Sequence, residues 1–558
     1  MRHVRRVPWR ALLLGATAVA AFLVSGTRVT TQTPPAASAR PKLFVLLVID
    51  QFRADYVDLY GSQWTTGLRR LLREGALFTH AAYPYAGTVT CAGHATISTG
   101  TYPAQHGITG NEWYDREARR SPTCVQDRNV KPVVFAGGAA KQGYSAHTLR
   151  APTFADELQR QMPGGSRVVV VSLKPRSAVT LGGLGDPDTV VLWKEEGGPW
   201  LTSTAFTDTP WPDVEEFVRT RAITAAYGQQ WTRLLPRPSY RFPDSGVGEA
   251  QPTQWDITFP HPIDSPNGKP DDMFASRWDH SPFSDTYLAD LALHLLETQQ
   301  LGRRSTTDFL AISFSALDLV GHEYGPRSHE VQDVIVRLDR TIGRVLDALD
   351  ARVGRGQYTL ALTSDHGVAE IPEQSLSRQE DGGRILSSDL TAAIESTVSK
   401  FLGPGPYFAR TDGLQLALLP GVVDQLRGVP GALSEVRRAL QQVKGVWRVY
   451  GPEELEDQTA TTDETLRAWR LSHVPGRSGD FVITPRRNWL LRAAAGTTHG
   501  SPHDYDRRVP LMLFGAGIRA GHYADMASPA DIAPTFATLA GISLPHAKGR
   551  SLSEAIRR

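Results

Sequence analysis

Five short, mostly apolar runs constrain this chain more than any other feature: residues 43–49, 168–171, 309–312, 358–362 and 511–514. None alternates apolar with polar, as a strand with one wet face would. Such runs are expected where strands are buried on both faces of a parallel sheet. Helical periodicity lies between them, for example over 285–299, 331–349 and 530–540. Strands alternating with helices imply an α/β fold with a mainly parallel central sheet. Four of the runs lead directly into polar residues. Asp50 comes after the first, Lys174 and Arg176 after the second, Asp318 and His322 after the third, and Asp365-His366-Gly367 after the fourth. Groups just past the carboxyl ends of parallel strands converge on one rim of the sheet, where open α/β folds bind ligands.

Length alone, 558 residues, would suggest three or four domains. Candidate site residues run from Asp50 to His499, so one catalytic core (40–389 and 481–558) must instead be interrupted by other segments. Residues 195–275, rich in Trp, Pro and Asp, read as a loop-rich insertion. Residues 390–480 read as a small α/β cap module. The formal charge of +2 is unevenly spread. Arg2, Arg5, Arg6, Arg10 and Arg28 sit in the first 39 residues without an acid, so the remainder is slightly acidic. That balance argues against nucleic acid as a dedicated partner.

The basic start, an apolar run over 11–24 and Ala37-Ser38-Ala39 describe a signal peptide or leader over 1–39. The apolar run falls short of the ~20 residues of a membrane span. A periplasmic or secreted protein is expected, with no span in the mature chain. The distance between the apolar run and the cleavage site leaves an uncleaved anchor as the alternative. Cys91 and Cys124 could pair in such a compartment, or could be two small buried residues.

Asp50, Asp318, Asp365, His322, His366 and His499 supply three carboxylates and three imidazoles, enough for two metal ions. Such mixed ligation suits Zn²⁺ best, with Mn²⁺ as a substitute. Three carboxylates leave two divalent ions with net positive charge, which attracts an anion. Two ions ~3.5–4 Å apart can clamp the attacking and leaving oxygens of a phosphoryl transfer. Thr90 opens a helical stretch, where a threonine is either an N-cap or, beside a metal ion, a nucleophile. His94, one turn later, reads as a structural or supporting residue.

Asp50, Thr90-x-x-x-His94, Asn111, Lys174-x-Arg176, Asp318-x-x-x-His322, Asp365-His366 and Thr497-Thr498-His499-Gly500 together resemble the alkaline phosphatase superfamily. The pattern is most similar to the bacterial single-chain, PafA-like alkaline phosphatases with a threonine nucleophile, which are related to the nucleotide pyrophosphatase/phosphodiesterases. The resemblance implies a three-layer α/β sandwich with inserted cap segments. It implies two Zn²⁺ per chain, one on Asp318, His322 and His499 and the other on Asp50, Asp365 and His366. Thr90 would be the nucleophile on the second ion, giving a phosphothreonine. Asn111, Lys174 and Arg176 would bind the non-bridging phosphoryl oxygens. His503 competes with His499 as a ligand, and the Gly-Thr-Thr-His-Gly setting favours His499.

Lys174, Arg176 and Asn111 add two charges and a directional donor, which favours the dianion of a small-molecule phosphate monoester. A phosphodiesterase or nucleotide pyrophosphatase is the alternative. A sulfatase is excluded, because Cys91-Ala92-Gly93-His94-Ala95 lacks the Pro and Arg that formylglycine formation needs. A non-enzymatic binding protein stabilised by metal ranks last, since structural zinc sites are usually rich in cysteine.

Overall fold

The computed structural model describes residues 40–557 apart from Pro187 and Pro252. The leader expected over 1–39 lies outside the described residues. Strand β1 (Leu43–Ile49) explains the missing alternation. Leu43, Val45, Leu47 and Ile49 enter one hydrophobic core, while Phe44, Leu46 and Val48 enter another on the opposite face of the sheet. With both faces covered, no position is left for a polar residue. Each fully buried side chain of this size contributes about 1.5–3 kcal/mol.

The remaining strands of the central sheet are β2 (Ala76–Ala81), β3 (Pro132–Val134), β4 (Val168–Ser172), β5 (Thr189–Lys194), β6 (Trp200–Ser203), β7 (Asp308–Phe314), β8 (Tyr358–Thr363), β9 (Leu511–Gly515) and β10 (Gly521–Ala527). Their spatial order is β10-β2-β9-β8-β1-β7-β4-β5-β6-β3. The five strands β8, β1, β7, β4 and β5 are mutually parallel. Strand β9 is buried as expected but runs antiparallel to both β8 and β2, so the ten-stranded sheet is mixed. A continuous apolar run reports burial on two faces; it carries no information on direction, which the connections decide.

Helices cover both faces. The first core lies under α4 (Pro282–Thr298) and α6 (His329–Leu349), through residues such as Leu291, Leu295, Ile335 and Ile342. The second lies under α1 (Thr90–Thr99), α2 (Phe154–Gln161), α3 (Pro175–Gly182) and α7 (Ile532–Ala540), through Ile97, Phe154, Leu158, Val179 and Phe536. The short helix α5 (Ala316–Tyr324) comes after β7. The result is a helix–sheet–helix sandwich.

Two segments differ from their sequence description. Within 195–275, Trp200–Ser203 is a strand of the central sheet, paired to β5 on one side and to the edge strand β3 on the other. Helix Pro212–Thr220 and the ladder between Gln229–Trp231 and His261–Ile263 come next, and Trp231 and Trp255 fill the first core. The smaller module begins with helix Ser387–Leu402 and includes Phe481–Pro485, so it reaches beyond 390–480 at both ends. Its four-stranded antiparallel sheet has the order Phe408–Asp412, Gln415–Leu418, Phe481–Pro485, Val446–Tyr450. It has a core of its own, with Ile394, Val398, Leu418, Val436, Leu440 and Ile483.

Helix α1 meets the sheet rim most closely at Gly93, where a Cβ would collide with the carbonyl of Asp365 just past β8. Only a glycine lets these two backbones touch. Gly93→Ala should therefore destabilise the fold by about 1–3 kcal/mol despite alanine's better helix propensity. Its thermal midpoint, measured beside the parent, should be lower.

Candidate metal centre and active site

The four parallel strands β1, β7, β4 and β8 deliver the residues just past their ends to one edge of the sheet. Asp50 is held there by its N–H, which donates to the Phe314 carbonyl at 2.9 Å. Asp50, Asp365 and His366 are fully buried, Thr90 is 1% exposed and Asp318 2%. Potential ligand atoms of Asp50, Asp365 and His366 lie within 4.8 Å of one another, as do those of Asp318, His366 and His499. His322 Nε2 comes to 3.3 Å of Asp318 Oδ1, and His499 Nε2 to 3.9 Å of the same oxygen. His366 thus lies between the two sets, its ring stacked on His499 at 3.5 Å. His322 has the most exposed ring, 26%, so solvent reaches the site from that side.

The histidines are fixed by their far nitrogens. Nδ1 of His322 faces the Thr497 carbonyl at 2.9 Å, that of His499 the Thr88 carbonyl at 2.9 Å, and that of His366 the Gly367 carbonyl at 2.9 Å. A carbonyl only accepts, so each Nδ1 carries the hydrogen. In the neutral ring Nε2 then presents a lone pair, and those lone pairs face carboxylate oxygens. Nε2 of His366 is 3.4 Å from Asp50 Oδ1 and 3.3 Å from Asp365 Oδ2. Both of these oxygens are buried without a hydrogen-bond partner among the described residues. Burial, with His366 and His322 as neighbours, holds His499 well below the usual imidazole range; burial also lowers His366. Acceptors facing acceptors in a buried site repel unless cations lie between them. The donor set fits metal ions.

The carboxylates carry the same message. Burial, then Asp318 and Asp365, push Asp50 well above the usual carboxylate range. Asp318, against its burial, is held well below that range by Lys174 and His322. Asp365, also against burial, is held down by His366 and His94. Three acids so close cannot all ionise without positive charge. Part of it comes from Lys174, whose ammonium bridges Asp50 Oδ2 at 2.6 Å and Asp318 Oδ2. These partners keep Lys174 protonated against its own burial.

Thr90 is the first residue of α1, and its Oγ1 lies 3.4 Å from His366 Nε2. Asn111 accepts the Cys91 N–H on its Oδ1 at 2.9 Å, which turns its NH₂ group away from the helix. Lys174 precedes α3 and Arg176 lies in its first turn, with a buried Nε that has no partner within the described residues. His94 is not beside the metal-ligand nitrogens. Its Nδ1 donates to the Thr90 carbonyl at 2.8 Å and lies 3.3 Å from Asp365 Oδ2, so it supports both. His503 points elsewhere, with Nε2 3.0 Å from the Pro485 carbonyl. Cys91 and Cys124 form a disulfide.

Sequence pattern does not single out Gln51, yet it reaches both ligand sets. Its amide donates to Asp318 Oδ1 at 2.6 Å and its N–H to Asp365 Oδ1 at 3.2 Å, so it touches one carboxylate of each. The available signal is its place as the second polar residue past β1. Its left-handed backbone, φ 66°, which aims both groups at once, is a tertiary feature.

The chain belongs to the type I phosphodiesterase / nucleotide pyrophosphatase family, whose family model matches residues 44–506. Among curated proteins it is similar to alkaline phosphatase PhoV of Synechococcus elongatus, 30% identical with 92% of each chain covered. It is also similar to alkaline phosphatase PafA of Elizabethkingia meningoseptica, 29% identical over 98% of this chain and 99% of that one. The crystal structure of wild-type PafA superposes with a TM-score of 0.83 at 29% identity, covering 93% of this chain and all of that one.

Asp285, on α4, accepts the N–H groups of Ser315 at 3.0 Å and Ala316 at 3.3 Å, and so anchors the start of the helix that carries Asp318 and His322. Burial pushes its carboxyl up to about 7. Between the ordinary carboxylate range and about 7 the folded chain keeps a proton that the unfolded chain releases, so stability falls as pH rises through this window. Asp285→Asn keeps the acceptor and never ionises. Its stability relative to the parent should rise by about 1–4 kcal/mol between pH 5 and pH 8, read from denaturation at both values.

Proposed function

We propose that this protein is an exported, two-zinc alkaline phosphatase that hydrolyses small-molecule phosphate monoesters through a phosphothreonine. The observation that carries the reading is Thr90 Oγ1 at 3.4 Å from His366 Nε2, on the edge of two sets of buried carboxylates and imidazoles. Full-length similarity to alkaline phosphatases PhoV and PafA supports it. Asp318, His322 and His499 would hold one ion and Asp50, Asp365 and His366 the other. When bound, the ions supply Lewis-acid charge for the attacking and leaving oxygens.

The chain's own residues do the rest. The N-terminus of α1 offers N–H groups to an anion, and Thr90 stands at that end. Thr90 Oγ gives up its proton to solvent and forms the new bond to phosphorus as the bond to the leaving-group oxygen breaks, that oxygen taking a proton from solvent. Water then cleaves the phosphothreonine and restores the hydroxyl. The open His322 side gives the leaving group its exit. Arg176, the NH₂ group of Asn111 and the remaining N–H of Lys174 would hold the non-bridging oxygens. Because Lys174 already commits two donors to Asp50 and Asp318, it couples oxygen binding to the arrangement of both ligand sets. The Cys91–Cys124 disulfide supports an oxidising compartment such as the periplasm.

The match to a family named for phosphodiesterases favours, as a second reading, a diester substrate. A comparison of kcat/KM for an aryl phosphate, its methyl diester and the aryl sulfate decides between them; the monoester should lead, and a leading diester would replace the first reading. Thr90→Ala should lower turnover by at least about 10³-fold while zinc content, measured by elemental analysis, stays near that of the parent. Lys174→Ala combined with Arg176→Ala should cost the monoester about 10²–10³-fold and the diester much less. Equal losses would contradict the role given to this pair.

A further inference from the structure

We propose that the Cys91–Cys124 disulfide is a positioning element for the reaction: it holds the Asn111 amide in place relative to Thr90. The inference rests on Asn111 acting as a phosphoryl-oxygen donor.

Asn111 is bracketed by the main chains of both half-cystines. Its side-chain Oδ1 accepts the Cys91 N–H at 2.9 Å, and its backbone carbonyl accepts the Cys124 N–H at 2.8 Å. The disulfide joins the two donors covalently, and both cysteines are fully buried. Thr90 precedes Cys91 directly, so three neighbouring contacts set one distance, that between the nucleophile's helix and the Asn111 side chain.

The other ties near Asn111 are hydrogen bonds: His106 Nε2 lies 3.1 Å from Thr96 Oγ1 on α1, and the Gln415 amide donates to the Thr109 carbonyl at 3.0 Å. Thr90 belongs to α1, whereas Asn111 begins a hairpin over residues 111–124 that is closed by only two isolated bridges, Glu112 with Thr123 and Asp115 with Arg120. This hairpin leans on the smaller module. Arg116 donates to Asp480 Oδ1 at 2.9 Å and to the Gly476 and Ser478 carbonyls, and Arg410 pairs with Glu112 at 2.6 Å. The Arg116 contacts hold the outer part of the hairpin, whereas the partly exposed Arg410–Glu112 pair lies one residue from Asn111. At the base, the disulfide prevents the two donors from separating.

With Oδ1 committed to Cys91, both hydrogens of the Asn111 NH₂ group remain for ligand oxygens. Releasing the strap lets the hairpin base drift and the amide lose its aim, and displacement of a binding group by ~1 Å can cost up to about 10²-fold in rate. The loss should fall on the dianionic monoester, which has three non-bridging oxygens to hold, more than on the diester.

The test is a double-mutant cycle on the metal-loaded enzyme, with zinc content measured for every variant. Cys91→Ala with Cys124→Ala should lower kcat/KM for an aryl phosphate by about tenfold or more, weaken inhibition by inorganic phosphate, and spare the methyl diester. In an Asn111→Ala background the same pair of changes should have no further effect on the monoester. Cys124→Ala alone, which leaves the residue beside Thr90 untouched, should reproduce the result if the double variant does not fold. The proposal is overturned if monoester and diester fall together, if only the thermal midpoint moves, or if the losses multiply in the Asn111→Ala background. An Asn111→Ala enzyme that binds phosphate and turns over monoester like the parent would instead overturn the role of Asn111 itself, and the strap with it.

Discussion

The burial of Asp50, Asp318 and Asp365 side by side is the constraint on which the rest of the structure depends. Three carboxylates at such range repel by several kcal/mol unless positive charge is built in beside them. Lys174 answers part of this by lying between Asp50 and Asp318. The imidazoles do not answer the rest: they too turn lone pairs inward, a geometry that is favourable only around cations. Much of the surrounding fold serves to hold these groups where water would otherwise have dispersed them.

That holding is done by main chain more than by side chain. Four parallel strands stop at the same edge, so their next residues meet without long loops. Backbone carbonyls of Thr88, Gly367 and Thr497 fix the three histidine rings. Gly93 allows α1 to rest on the Asp365 backbone, which brings Thr90 to His366. Gln51 ties one acid of each ligand set to the end of β1. These devices share a physical basis: a backbone group loses little conformational entropy when it is used to orient a side chain, because the fold has already ordered it.

Much of this is legible in the amino-acid sequence. The runs at 43–49, 168–171, 309–312 and 358–362 form the parallel centre of the sheet, and the polar residues after them form the site. Asp365-His366 and His499 are recognisable by their setting past a buried strand and in a Gly-flanked loop. Other features are not legible there. Strand β9 has the expected burial and the opposite direction. Trp200–Ser203 is too short, and paired to β5 through too few residues, to stand out from the loop-rich stretch around it. His503 looks like a ligand candidate in sequence; its hydrogen bond to the Pro485 carbonyl separates it from the imidazoles that face the carboxylates.

The sequence by itself determined the class of fold and the chemical inventory of the site, because both depend on local facts: which runs can be buried on two faces, and which polar types come after them. Tertiary structure alone decided that Cys91 and Cys124 join, that Gln51 touches both ligand sets, and that Asn111 is held from both sides by the two cysteines. Those outcomes depend on distances between residues remote along the chain. Local pattern cannot encode such distances; they arise only when the strands, helices and hairpin have packed against one another.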